Sequence, residues 1–207
     1  MSIQQNLPFP ERQYNVLYAD PPWSYSNNAT RAAASSHYAT MSQEDIAALP
    51  VSDIAAQDCV LLLWATYPML EQALETIKAW GFTFKTMAFT WVKLNPSGKG
   101  LFMGLGNWTR CNPELCLLAV RGKPKRASAK VRSVIISPVE QHSKKPDEAR
   151  RRIEELMGDV PRIELFARTR VSGWDAWGNE VPGEGLCKET SSSVKTGHAT
   201  SQQNKGA

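Results

Sequence analysis

Apolar residues along the chain follow two rhythms. Continuous or alternating runs predict strands: "NVLYA" (Asn15 to Ala19), "CVLLLWAT" (Cys59 to Thr66), "FTFKTMAFTWVK" (Phe82 to Lys93), "ELCLLAV" (Glu114 to Val120), "SVIIS" (Ser133 to Ser137) and "RIELFA" (Arg162 to Ala167). The run around Leu61 is apolar enough for a strand buried on both faces. Other segments carry helical spacing. "YPMLEQALETIKAWG" puts Leu70, Ala73, Leu74 and Ile77 on one face and stops at Gly81. "MSQEDIAAL" offers Ser42 as a cap with Asp45 three positions on, and "PDEARRRIEELMG" predicts a helix starting at Pro146 or Asp147. Strands alternating with helices predict an α/β fold with a largely parallel sheet.

The first strand ends abruptly. Pro21 and Pro22 forbid its continuation in a ladder or a helix, so it stops at Asp20, and Trp23 follows. Ligands in open α/β sheets bind at the carboxyl ends of strands, and a carboxylate held there by a rigid turn beside an indole suits a pocket. It suits a strand end capped by an acid equally well, since Asp and Pro are ordinary turn residues.

Composition narrows the choice. The chain has 207 residues, enough for one domain with a substantial core. From Gly183 the residues are Gly, Ser, Thr and Lys with scarcely any apolar content, which predicts a domain over residues 1–182 and a disordered tail over 183–207. A net charge of +4 permits a polyanionic partner. Basic residues cluster at Arg121 to Arg132 and at Lys144 to Arg152, as solvated faces or as phosphate contacts. Four cysteines without a C-x-x-C pair and three scattered histidines indicate no metal site and no disulfide framework. Neither a signal peptide nor an 18-residue apolar span is visible, so no membrane association is expected and a soluble, cytoplasmic protein is. "GLGNWT" (Gly104 to Thr109) lacks the third glycine of a dinucleotide fingerprint and precedes a strand, which weakens kinase, ATPase and dehydrogenase readings.

Asp20-Pro21-Pro22-Trp23 after a hydrophobic strand resembles the D-P-P-W signature of the MT-A70 family of S-adenosylmethionine-dependent adenine N6-methyltransferases. "HYATMS" (His37 to Ser42), "GNWTRCNPELCLLAVRG", "HSKKPDEARRRIEEL", "RIELFAR" and "GWDAWGNEV" are similar to further segments of that family, in family order. The order, with D-P-P-W first and "RIELFA" last, also resembles one permuted class of DNA amino-methyltransferases. The resemblance implies a Rossmann-like class I methyltransferase fold: a mostly parallel sheet of seven strands, one antiparallel, with helices on both faces.

The chemistry accounts for the residue types. An exocyclic amine is a poor nucleophile because its lone pair is delocalised into the ring. Asp20 and the Pro21 carbonyl can accept its two N–H groups and free that lone pair, with Pro22 fixing the turn. Trp23 offers a stacking face, and Tyr38 a second wall. Carried over residue by residue, the resemblance implies cofactor contacts from Asp20, Lys145, Glu164, Leu165, Phe166, Arg168, Asn179 and Glu180. It implies substrate contacts from Trp23, Tyr38, Glu114, Lys145, Arg31 and Arg110. Glu180 stands where the best-known eukaryotic members have Gln, and Arg170 and Val171 replace a His-Asn pair. Glu114 also reads as a polar residue that opens a strand.

A bacterial or phage enzyme acting on duplex DNA is the expected reading, with the base flipped into the D-P-P-W pocket by the loops Ser24 to Thr40 and Pro96 to Cys111. Lys99, Lys123, Lys125 and Arg126 are further candidates for phosphate contacts, and a homodimer would supply extra recognition surface. An RNA adenine N6-methyltransferase, a non-catalytic nucleic-acid-binding subunit, and a small-molecule or protein methyltransferase are the alternatives.

Overall fold

The computed structural model describes residues 8–24, 40–140 and 144–181. Their elements run β1 (Tyr14–Ala19), α1 (Gln43–Ala47), α2 (Val51–Ile54), β2 (Ala55–Ala65), a 3₁₀ turn (Tyr67–Met69) and α3 (Leu70–Ala79). β3 (Thr83–Leu94), β4 (Glu114–Arg121), β5 (Val134–Pro138), α4 (Asp147–Met157), β6 (Arg162–Leu165) and β7 (Asp175–Trp177) follow. The strands form one sheet in the order β5-β3-β4-β2-β1-β6-β7. β1 pairs in parallel with β2 and β6, β6 with β7, and β3 with β5. β4 is antiparallel to both its neighbours and is the one reversed strand. The α/β expectation holds, down to the single reversal. The polar tail at 183–207 lies outside the described residues.

Each face of the sheet is covered by helices. On one side Leu17, Leu61, Leu63, Ile163 and Leu165 pack with Ile46, Val51, Ile54, Ala73 and Ile77 of α1, α2 and α3. On the other, Val16, Tyr18, Leu62, Trp64 and Trp91 pack with Ala149, Ile153 and Met157 of α4. β2 is buried on both faces, as its continuous apolar run requires.

Local signals set the boundaries. The Ser42 side chain accepts from the Asp45 N–H at 3.0 Å and caps α1. α3 ends where Gly81 takes φ +80°, with Phe82 N–H on the Ile77 carbonyl and Gly81 N–H on that of Lys78, a Schellman closure. "RIELFA" is shorter than the six residues expected. β6 stops at Leu165 because Phe166 turns to φ +61°, the left-handed region that side chains rarely occupy. β7, carried by the alternation in "WDAW", has no counterpart among the strand runs picked out from the sequence.

Strand direction creates the site. β1, β2, β3, β5, β6 and β7 all end on one edge of the sheet. From β1 the chain moves to β2 over one face. α4 brings it back over the other face to β6, on β1's opposite side, and then outward to β7. The gap between β1 and β6 is therefore the switch point where a doubly wound sheet opens a crevice. Asp20 stands at its lip.

Candidate active site

The turn after β1 is held at every step. Trp23 N–H donates to the Pro21 carbonyl at 2.9 Å, closing a three-residue turn around Pro22, whose ring-fixed φ suits it. Met41 N–H then bonds the Pro22 carbonyl at 3.0 Å. The Trp23 indole is 7% exposed and donates from Nε1 to the Trp64 carbonyl at 3.0 Å. Trp64 Nε1 in turn donates to the Tyr18 hydroxyl at 2.7 Å, tying the turn through β2 back to β1. The Pro21 carbonyl thus has a fixed direction and keeps one lone pair beyond the turn.

Behind Asp20 lies a chain of buried charges. Lys145, just before α4, places Nζ 2.8 Å from Asp20 Oδ2 and 3.1 Å from Glu114 Oε2. Lys93, near the end of β3, binds the other oxygen of Glu114. Lys145 also lies over the Trp64 ring and Lys93 over that of Trp91. Two acids and two ammonium groups cancel, which lets the cluster be buried. The balance is uneven. Burial raises the Asp20 carboxyl above the usual range despite Lys145, with Glu114 adding to the rise. Burial also works against the charge on Glu114, but Lys145 and Lys93 outweigh it and hold that carboxyl low. Lys145, buried between two carboxylates, is held charged.

The end of β6 forms the opposite wall. Leu165 is fully buried and offers only its backbone there. Phe166 stacks edge-on against Trp177, with Ala167 N–H on the Trp177 carbonyl at 3.0 Å. Gly178 is required by that crossing, since a Cβ there would lie 2.3 Å from the Ala167 carbonyl oxygen. Gly178→Ala is expected to destabilise the protein by about 3 kcal/mol, read as a shift in the urea midpoint. Arg168 acts on Asp20 electrostatically and approaches Glu180 at 4.0 Å, with Asn179 and Glu180 exposed beside it.

Asp20, Lys145, Glu114 and Arg168 are therefore brought together. Glu164 is placed elsewhere. Strand alternation turns it toward α4, where Arg150 holds both its oxygens at 2.7 and 3.0 Å. Arg110 is exposed on the β3–β4 loop, and Arg31 and Tyr38 lie outside the described residues. Lys123, Lys125 and Arg126 follow β4, the reversed strand, and so sit at the edge opposite Asp20, near the Asp58 carboxylate that Lys123 N–H bonds and the Leu156 carbonyl that Ala127 N–H bonds. That position removes them from the group of phosphate contacts beside the site. Among the described residues, no group of three or more His, Cys, Asp or Glu gathers as a metal set, and no helix is long and apolar enough to cross a membrane.

The MT-A70 family model matches residues 14–180, from the start of β1 to Glu180. The chain belongs to the MT-A70 family. Among MT-A70 relatives, it is 32% identical to the Type II methyltransferase M.MunI of Mycoplasma sp, over 84% of this chain and 80% of that protein. It is 30% identical to an N(6)-adenosine-methyltransferase MT-A70-like protein of Arabidopsis thaliana and 29% identical to the N(6)-adenosine-methyltransferase catalytic subunit METTL3 of Homo sapiens. Those matches cover 85% and 83% of this chain but 25% and 29% of the relatives. This chain is thus an MT-A70 methyltransferase. One member of the charge cluster escaped sequence reasoning: Lys93, whose only signal is a lysine directly after the apolar pair Trp91-Val92 near the end of β3.

Proposed function

We propose that this chain transfers a methyl group from S-adenosylmethionine to the N6 amine of adenine in DNA, as a cytoplasmic enzyme of a bacterial host. The observation that carries the reading is the pairing of Asp20 with the direction-locked Pro21 carbonyl at the switch point. Acceptors on two successive residues, one fixed by the turn and the other held by Lys145, suit an amine with two N–H groups. Lys145 engages Asp20 Oδ2 and so holds the carboxylate in place for the amine. Once the nitrogen is methylated it must lose a proton, and a carboxyl held above the usual range is suited to take it.

The groups at the crevice, Asp20 and Arg168 part-buried and Asn179 and Glu180 exposed, fit the cofactor's chemistry. Asp20 and Glu180 match an ammonium and ribose hydroxyls, while Arg168 and Asn179 match a carboxylate and a purine edge. When bound, the cofactor supplies a sulfonium methyl. The Leu165–Phe166 backbone would line the crevice that holds it, and Glu164 supports that strand end through Arg150.

DNA is favoured by the likeness to a type II methyltransferase over most of that protein's length, whereas the eukaryotic relatives are matched over about a quarter of theirs. A homodimer would enlarge a small recognition surface. Tritiated methyl transfer to duplex DNA, single-stranded DNA and RNA of one sequence tests the assignment. Label on DNA is expected; label confined to RNA would overturn the substrate, and no label on any of them would overturn the enzyme.

A further inference from the structure

The β3–β4 loop is an ordered ribbon. Phe102 N–H bonds the Lys93 carbonyl at 2.9 Å, Gly104 N–H bonds that of Cys111 at 2.9 Å, and the Asn112 amide donates to the carbonyls of Lys93 and Phe102. Glycines sit where its two legs cross most closely: a Cβ would lie 2.4 Å from the Cys111 oxygen at Gly104 and 2.0 Å from the Thr109 oxygen at Gly106. The hairpin is therefore narrow, and it presents a row of apolar side chains outward. Leu101, Met103 and Leu105 are 65%, 72% and 80% exposed, and Trp108 is 100% exposed at the tip. The other six tryptophans are 7% exposed or less.

An ordered element that holds this much apolar surface in water is built to meet something. Its chemistry and its root indicate what. Between Asn95 and Pro113 the chain carries Lys99 and Arg110 and no acid, so the ribbon suits a polyanion. It is rooted between Lys93 and Glu114, the two members of the buried charge cluster that lead through Lys145 to Asp20. From Asn112 to the tip it extends about 13 Å at strand rise.

We propose that the ribbon is a wedge for duplex nucleic acid. Trp108, backed by Leu105, enters the base stack beside the target adenine and fills the gap left when that base turns into the Asp20 crevice, while Lys99 and Arg110 contact flanking phosphates. The substrate half of this inference rests on the adenine reading above. A stacked base is out of reach of a carboxylate set in a crevice, extrusion costs a few kcal/mol, and apolar side chains inserted between base steps offset such a cost.

Because Trp108 is the only solvent-open tryptophan, acrylamide quenching of intrinsic fluorescence reports on it directly. A saturating duplex is expected to shield the quenchable fraction, and Trp108→Ala to abolish that fraction. In methyl transfer, Trp108→Ala is expected to slow the duplex reaction by about tenfold or more, with the same adenine in a single strand changed less than about twofold. Equal losses on both substrates, or no loss, overturn the wedge. So does a wild type that is dimeric by sedimentation where Trp108→Ala is monomeric, which would make the ribbon a docking surface for a second copy. If Trp108 is shielded by duplex but no adenine is methylated, the methylation reading fails and the wedge stands. If duplex is methylated while Trp108 stays open to acrylamide, the reverse holds.

Discussion

Asp20→Ala is expected to lower methyl transfer by about 10²–10³-fold, with the protein still folded. In the proposed reading the side chain is one of the amine's two acceptors, and the effect should fall on kcat because the charge it stabilises develops in the reaction. Folding survives because the Lys145 ammonium keeps Glu114 at 3.1 Å as a partner. Asp20→Asn is the sharper probe. It preserves shape but loses the charge and cannot take a proton, so it should lose nearly as much activity. The wild-type rate should fall as pH drops through the Asp20 pKa, because only the ionised carboxylate carries the charge and can take the proton. Burial raises that pKa, so the acid limb should lie above the usual carboxylate range. Single-turnover rates against pH check both points.

Lys145→Met should be the most destabilising change in the site, by about 3–5 kcal/mol at neutral pH. It leaves Asp20 and Glu114 as buried carboxylates with one lysine, Lys93, between them and only on the Glu114 side. The pH dependence follows from the direction of each shift. In the wild type, Glu114 is held below its unfolded value, so its contribution is present at neutral pH and is lost as pH falls through the folded value. Lys145 is raised, so its contribution is complete below the ordinary lysine value and is lost only as pH rises through the raised one. Without Lys145 the carboxyls rise, the folded state takes up protons before the unfolded one, and acid relieves the repulsion. Urea unfolding of the two proteins should therefore differ most near neutrality and converge as pH falls through the carboxylate range.

Much of this was legible in the sequence where the signal is local. Proline's restrictions act within one or two residues, so the end of β1 at Asp20 could be read directly, and so could the Ser42 cap and the Gly81 stop. Long apolar runs announced six strands. β7 did not announce itself because "DAW" is too short for alternation to stand out. What depends on register or direction was hidden. Lys93 meets Glu114 only because β3 and β4 pair as they do, with Trp91 opposite Glu114. The resemblance implies a cofactor contact from Glu164, and what no local signal showed is that alternation turns its side chain to α4 and Arg150. Lys123, Lys125 and Arg126 looked like neighbours of the site until the reversal of β4 carried them to the far edge. Glu114 was open between two readings; its burial between two lysines gives it a role in holding Lys145 against Asp20.

The central claim is that Asp20 and the Pro21 carbonyl hold the exocyclic amine of adenine. Nucleoside analysis by mass spectrometry of duplex DNA treated with the enzyme and S-adenosylmethionine tests it most directly. N6-methyldeoxyadenosine should appear with the wild type and be absent with Asp20→Asn. Methyl groups on cytosine alone, or undiminished N6-methyldeoxyadenosine with Asp20→Asn, would contradict it.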